Sequence, residues 1–141
     1  MEKWIAYAFV SMFFAGFTSV IAKMGLAGIS GELGLTIRTL FVCAFVLIFA
    51  AWAVPTHEVA SVTSRNLSWL GLSGVTTALS WIFYYKALKV GDVATVALID
   101  KGSVVVAMLL AGLVLREVIT LRMIAGAGLI IAGLLVIAKK P

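Results

Sequence analysis

The feature that most constrains this chain is a series of apolar runs long enough to cross lipid. Residues 4–22 pass without one Asp, Glu, Lys or Arg, a stretch of 19 residues. At about 1.5 Å per residue, a helix of roughly 20 residues spans a hydrocarbon core of about 30 Å. Four further segments reach or approach that length, at about 33–54, 67–85, 93–115 and 121–138. They are apolar on all faces, whereas a membrane β-strand would alternate. Composition agrees: 63% of the residues are hydrophobic and 12% charged, against about 25% charged in an ordinary soluble domain. A globule of 141 residues has too little interior to hide that much apolar surface. A water-soluble globule and a disordered chain are both excluded. The expected fold class is an all-α membrane protein, a five-transmembrane-helix bundle forming one domain over residues 1–141.

Other function classes fall away on the same grounds. The net charge is +5, from 11 Lys+Arg against 6 Asp+Glu. These charges flank the apolar runs instead of gathering on one basic face, so nucleic acid is not an expected partner. One cysteine, Cys43, and one histidine, His57, leave no material for a metal cluster or a Ser–His triad. No nucleophile–base set is visible, and Cys43 lies in an apolar run with no base nearby in sequence. The expectation is a non-enzymatic protein without metal or organic cofactor. The first run lacks an A-x-A cleavage site and is long for a signal peptide, so it is read as a retained membrane helix.

The joints carry capping residues. Asp92 can cap the fourth helix, Thr120 the fifth, and Ser64 or Asn66 the third. Gly91 can end the third helix in a left-handed conformation. Small residues at four-residue spacing, such as Ser11, Ala15 and Ser19, let helices approach closely.

Positively charged loops normally stay in the cytoplasm and so set orientation. Five helices would place Lys3, Arg65, Arg116 and Arg122 on one side, and Lys23, Lys86, Lys89, Lys139 and Lys140 on the other. That near balance predicts insertion in both orientations, with opposite copies pairing as an antiparallel homodimer, an inverted-repeat architecture of the kind secondary transporters use; the rival reading is a fixed topology set by one dominant loop.

Three charges stand inside the runs. Placing a charge at the bilayer centre costs at least about 2.5–3.5 kcal/mol, so such residues usually serve a function. Asp100 and Lys101 lie in the middle of the fourth run, and adjacent helical residues point about 100° apart. They are therefore not expected to pair with each other on one face, and Arg38 from the second helix is a natural partner for Asp100. Together they suit a binding or proton-coupling site; the rival role is a permanent ion pair that locks helix packing. In the third helix Ser73, Thr77, Ser80 and Tyr84 share one face, with Trp81 beside them. Ser80, Trp81 and Tyr84 could line a moderately polar cavity, although Tyr84 also suits an interfacial belt. Lys23 either faces a cavity mouth or snorkels to the interface. Glu32 suits the positive end of the second helix.

Several of these stretches resemble a known family. Ala22-Lys23-Met24-Gly25-Leu26, Ile37-Arg38-Thr39, Leu79-Ser80-Trp81, Tyr85-Lys86-Ala87-Leu88-Lys89-Val90-Gly91-Asp92, Ile99-Asp100-Lys101 and Leu115-Arg116-Glu117-Val118-Ile119-Thr120 are similar, in that order, to the EamA domain of the drug/metabolite transporter superfamily. The similarity covers nearly the whole chain and points to the short prokaryotic group with a single such domain. It implies a multi-pass secondary transporter of the cytoplasmic membrane, moving a small metabolite or drug-like solute, often outward, by alternating access. Larger relatives carry two inverted domains, so one domain implies a dimer. The smallest relatives couple to protons through a glutamate in their first helix; this chain has none there, which leaves Asp100 as a substitute coupling group. The combined expectation is a dimeric transporter with Arg38, Ser80, Trp81, Tyr84, Asp100 and Lys101 at its substrate or coupling site. A non-transporting assembly subunit, or half of a heteromeric transporter, is the alternative.

Overall fold

Residues 3–138 are described by a computed structural model. They form α1 (Lys3–Gly25), α2 (Gly31–Ala53), α3 (Thr56–Val59), α4 (Ser64–Val90), α5 (Val93–Asp100), α6 (Ser103–Val114) and α7 (Leu121–Ala138), with no strand among them. Two compact units divide after Val90; the first holds α1 to α4 and the second α5 to α7. Lys139 and Lys140 of the charge count lie outside the described residues.

Among the described residues, three segments are long and apolar enough to cross a membrane: Lys3–Gly25, Gly31–Ala53 and the combined span Val93–Val114. Helix α4 is longer, at 27 residues. It is less apolar because Ser73, Thr76, Thr77 and Ser80 interrupt its aliphatic residues. The surface is that of a protein whose solvent is lipid. Phe13, Phe45 and Trp52 are 62%, 72% and 86% exposed, and among the described residues the buried apolar side chains are Leu26, Tyr85 and Leu88 in the first unit and Ala127 in the second.

The structure corrects four expectations. The run at 93–115 is two helices, because the chain tightens at Lys101 and Gly102. There Gly102 N–H bonds the Ile99 carbonyl at 2.9 Å and Val105 N–H bonds the Gly102 carbonyl at 3.0 Å, a three-residue spacing that interrupts the α-ladder. The third helix runs to Val90, three residues earlier and five later than expected, so Lys86 and Lys89 sit inside it. Its cap is Thr63: Asn66 N–H donates to Thr63 Oγ1 at 3.2 Å, and Thr63 N–H returns to Asn66 Oδ1 at 3.1 Å. This reciprocal box satisfies two donors that neither Ser64 nor Asn66 alone would reach. The left-handed glycine is Gly28, after α1, at φ 75°, and not Gly91. Asp92 and Thr120 do cap their helices, accepting from Thr95 N–H at 2.9 Å and Met123 N–H at 3.3 Å.

Within the first unit α2 packs most extensively against α4. A Cβ on Gly31 would lie 2.9 Å from the Tyr85 carbonyl oxygen, so only glycine allows the start of α2 to rest on the α4 backbone. That contact sets the rotation that brings Arg38, two turns further along α2, over α4.

Candidate functional site

Glycine 31, Gly34 and Arg38 lie on one face of α2, and Trp81, Tyr85 and Leu88 on one face of α4, at three- and four-residue spacing. Where these faces meet, the Arg38 guanidinium carbon sits 4.3 Å from the Trp81 ring centroid and 5.9 Å from that of Tyr85. Such stacking stabilises a cation by about 0.5–2 kcal/mol. It does not satisfy the hydrogen-bond donors. Arg38 Nη1 is buried and has no hydrogen-bond partner among the described residues.

A cavity of about 480 Å³ opens beside this stack. It is lined by Thr18, Ile21, Ala22 and Gly25 of α1, Leu26 and Ile29 of the following turn, Gly34, Ile37, Arg38 and Phe41 of α2, and Tyr85 of α4. The Thr18 hydroxyl donates to the Phe14 carbonyl at 3.0 Å, which leaves its oxygen as an acceptor. Tyr85 is 4% exposed. A second, wider groove of about 860 Å³ lies between α2 and α4, with Thr36, Thr39, Ser73, Thr77 and Trp81 among its walls. Its threonines donate to their own helices: Thr36 to Glu32, Thr39 to Leu35 and Thr77 to Ser73, all at 2.8–2.9 Å.

Helix α1 is tied to α4 by polar contacts. Tyr84 Oη donates to Ser19 Oγ at 2.7 Å. Lys23 Nζ donates to the Leu88 carbonyl at 2.5 Å, and Lys89 Nζ to the Leu26 carbonyl at 2.9 Å. Lys86 pairs with Glu32 at 3.4 Å across α4 and α2. Lys23 thus serves the end of a neighbouring helix.

Of the expected site residues, Arg38, Ser80, Trp81 and Tyr84 belong to the first unit, and Asp100 and Lys101 to the second. Arg38 and Trp81 come together. Tyr84 engages α1, and Ser80 is exposed on α4. In the second unit Lys101 Nζ stands 3.8 Å from Asp100 Oδ2. This corrects the expectation that these neighbours would not pair: the helix ends at Asp100, and the long lysine stem reaches back across the turn. Tyr85, Thr18 and Gly34 were not anticipated as cavity residues. The signal for Tyr85 was present in its four-residue offset from Trp81.

The comparisons agree with this picture of a helical membrane protein. The EamA-like transporter family matches residues 2–139. A Sinorhizobium sp. protein named as an uncharacterized transporter in the cobO 3′ region is 37% identical over 141 residues, which cover 97% of each chain. No solved structure matches. The chain belongs to the EamA-like transporter family.

Proposed function

We propose that this protein is a secondary transporter that exports a small metabolite or drug-like solute across the cytoplasmic membrane of a prokaryote. It works by alternating access as an antiparallel homodimer of five-span subunits, in which α5 and α6 cross together as one broken span. The observation that carries the reading is Arg38, a guanidinium inside an apolar span, stacked on Trp81 at 4.3 Å beside a cavity of about 480 Å³. A charge in that position is expensive in lipid unless it faces a ligand or water. Trp81 holds it in place, while Tyr84 on the same helix ties α4 to α1 through Ser19. Asp100 and Lys101, at the break between α5 and α6, supply a proton- or ion-coupling group. Broken membrane helices commonly place such groups at mid-depth. The near balance of positive charge across the membrane supports opposite orientations of the two copies.

The test is uptake and counterflow in proteoliposomes with Asp100→Asn and Lys101→Ala. Both variants should fold and dimerise, since each takes one charge out of the span, while gradient-driven transport is lost. Disrupted assembly with no solute movement in the wild type would refute the reading. Reporters fused at the C-terminus should appear on both sides, and one or two added lysines should shift their ratio.

A further inference from the structure

The Arg38 cavity has a charge imbalance that narrows what it can hold. The described part of the first unit contains two acidic residues, Glu32 and Glu58. Glu32 is already paired with Lys86 at 3.4 Å, and Glu58 lies in the short α3, outside the cavity. Among the described residues no carboxylate lines the cavity and no acceptor bonds the guanidinium, whose Nη1 is buried and unpartnered. Removing an ion from water is costly unless a counter-charge or hydrogen bonds compensate it. The aromatic stack offsets part of that cost and leaves the in-plane N–H groups unanswered.

The remaining walls define the rest of the ligand. Ile21, Leu26, Ile29, Ile37 and Phe41 present hydrocarbon. Tyr85 adds a phenolic hydroxyl that can donate. The only other side-chain hydroxyl, that of Thr18, spends its proton on Phe14. Among the described lining residues the site therefore offers donors, one positive charge and a neutral hydroxyl acceptor, Thr18, with nothing acidic for an ammonium group.

We infer that the cavity takes an amphipathic organic monoanion, an apolar body carrying a single carboxylate that Arg38 and Tyr85 receive, and discriminates against zwitterionic amino acids and amines. The inference deepens the transporter reading and rests on it for the route the anion takes. Charge-assisted pairing of guanidinium with carboxylate supplies both the affinity and the selection. The ammonium of an amino acid would be buried among hydrocarbon without a counter-ion, which penalises it relative to the same body lacking that group.

Equilibrium binding to the purified full chain in nanodiscs of phosphatidylcholine tests this. Four probes share one ring: 3-phenylpropionate, 3-phenylpropanamide, phenylalanine and 2-phenylethylamine. The expected order places 3-phenylpropionate first, with the other three weaker by about tenfold or more. Arg38→Gln should lose 3-phenylpropionate by a similar factor, Arg38→Lys should retain part of it, and Tyr85→Phe should weaken it a few-fold. Ala22→Phe, which fills the cavity and leaves Arg38 in place, should abolish binding, and this keeps the test decisive if an Arg38 variant fails to fold. Saturable binding that is absent for 3-phenylpropionate, equal across the four probes, or unchanged in Ala22→Phe overturns the inference. So does competition by phosphatidylglycerol added to the nanodiscs, which would make the anion a lipid headgroup. The transporter reading is judged separately by counterflow. Movement of another solute, uncompeted by 3-phenylpropionate, sinks the monoanion and spares the transporter. Binding in the expected order without any counterflow upholds the site and sinks the transporter.

Discussion

Lys23 and Lys89 cap each other's helices. Lys23, at the end of α1, donates to the Leu88 carbonyl at 2.5 Å and the Lys89 carbonyl at 3.3 Å; Lys89, at the end of α4, donates to the Leu26 carbonyl at 2.9 Å. The last carbonyls of a helix lack intrahelical donors and carry the negative end of its dipole. Two ammonium groups thus answer two helix ends at one point, where the cavity's Leu26 wall also sits.

Lys23→Met and Lys89→Met are each expected to lower stability by about 1–2 kcal/mol. The double variant should lose less than the sum, because either single change already loosens the same junction. Reversible unfolding in mixed micelles measures both.

Gly31→Ala should destabilise the chain by about 1–3 kcal/mol through overpacking, since its new methyl would meet the Tyr85 backbone, with the carbonyl oxygen at 2.9 Å and the carbonyl carbon at 3.2 Å. It should also move Tyr85 away from Arg38 and reduce ligand binding. Gly16→Ala is the control, with nothing within 4 Å of the added atom. Its effect should stay within about 0.5 kcal/mol in the same unfolding assay.

Tyr84→Phe removes the 2.7 Å bond to Ser19 and should cost about 1 kcal/mol. Ser19→Ala should cost a similar amount, and the two together little more than either. A full sum in the double-variant cycle would mean that the pair does not couple α1 to α4.

Gly102→Ala probes the break between α5 and α6. A Cβ there lies 2.9 Å from Leu134 Cδ1 and 3.1 Å from the Ile99 carbonyl oxygen. The variant should be destabilised by about 1 kcal/mol or more, and adding Leu134→Ala should recover part of that loss. Thermal unfolding of the single and double variants is the measurement. No recovery would place the conflict at the Ile99 backbone alone.

Much of the fold was legible because each of its determinants is local. Asp92 and Thr120 cap the helices they precede through bonds to N–H groups three residues away, and a cap needs no distant partner. Thr63 was missed because its cap is shared with Asn66, which by itself looked like the better candidate. The broken span was missed because apolar length does not report a three-residue hydrogen-bond spacing. Asp100 and Lys101 marked the place, and their pairing followed only once the helix ended between them.

The site was legible only in part. Arg38 and Trp81 stood out as a charge and a large aromatic in apolar runs, but nothing near either residue in sequence says that they touch. Tyr84 and Tyr85 are neighbours with the same chemistry, yet one bonds Ser19 and the other lines the cavity with Arg38. A rotation of about 100° between adjacent residues separates those roles.

What the sequence determined by itself was the solvent, the helical class and the few polar groups that lipid must not meet. Those follow from sums along the chain set against the thickness of a bilayer. What only the tertiary structure decided was which of those groups meet: Arg38 with Trp81 and Tyr85, Lys23 with the end of α4, and Lys89 with the end of α1. Such meetings depend on the rotation and offset of one helix against another, and here a glycine, Gly31, resting on the Tyr85 backbone sets them.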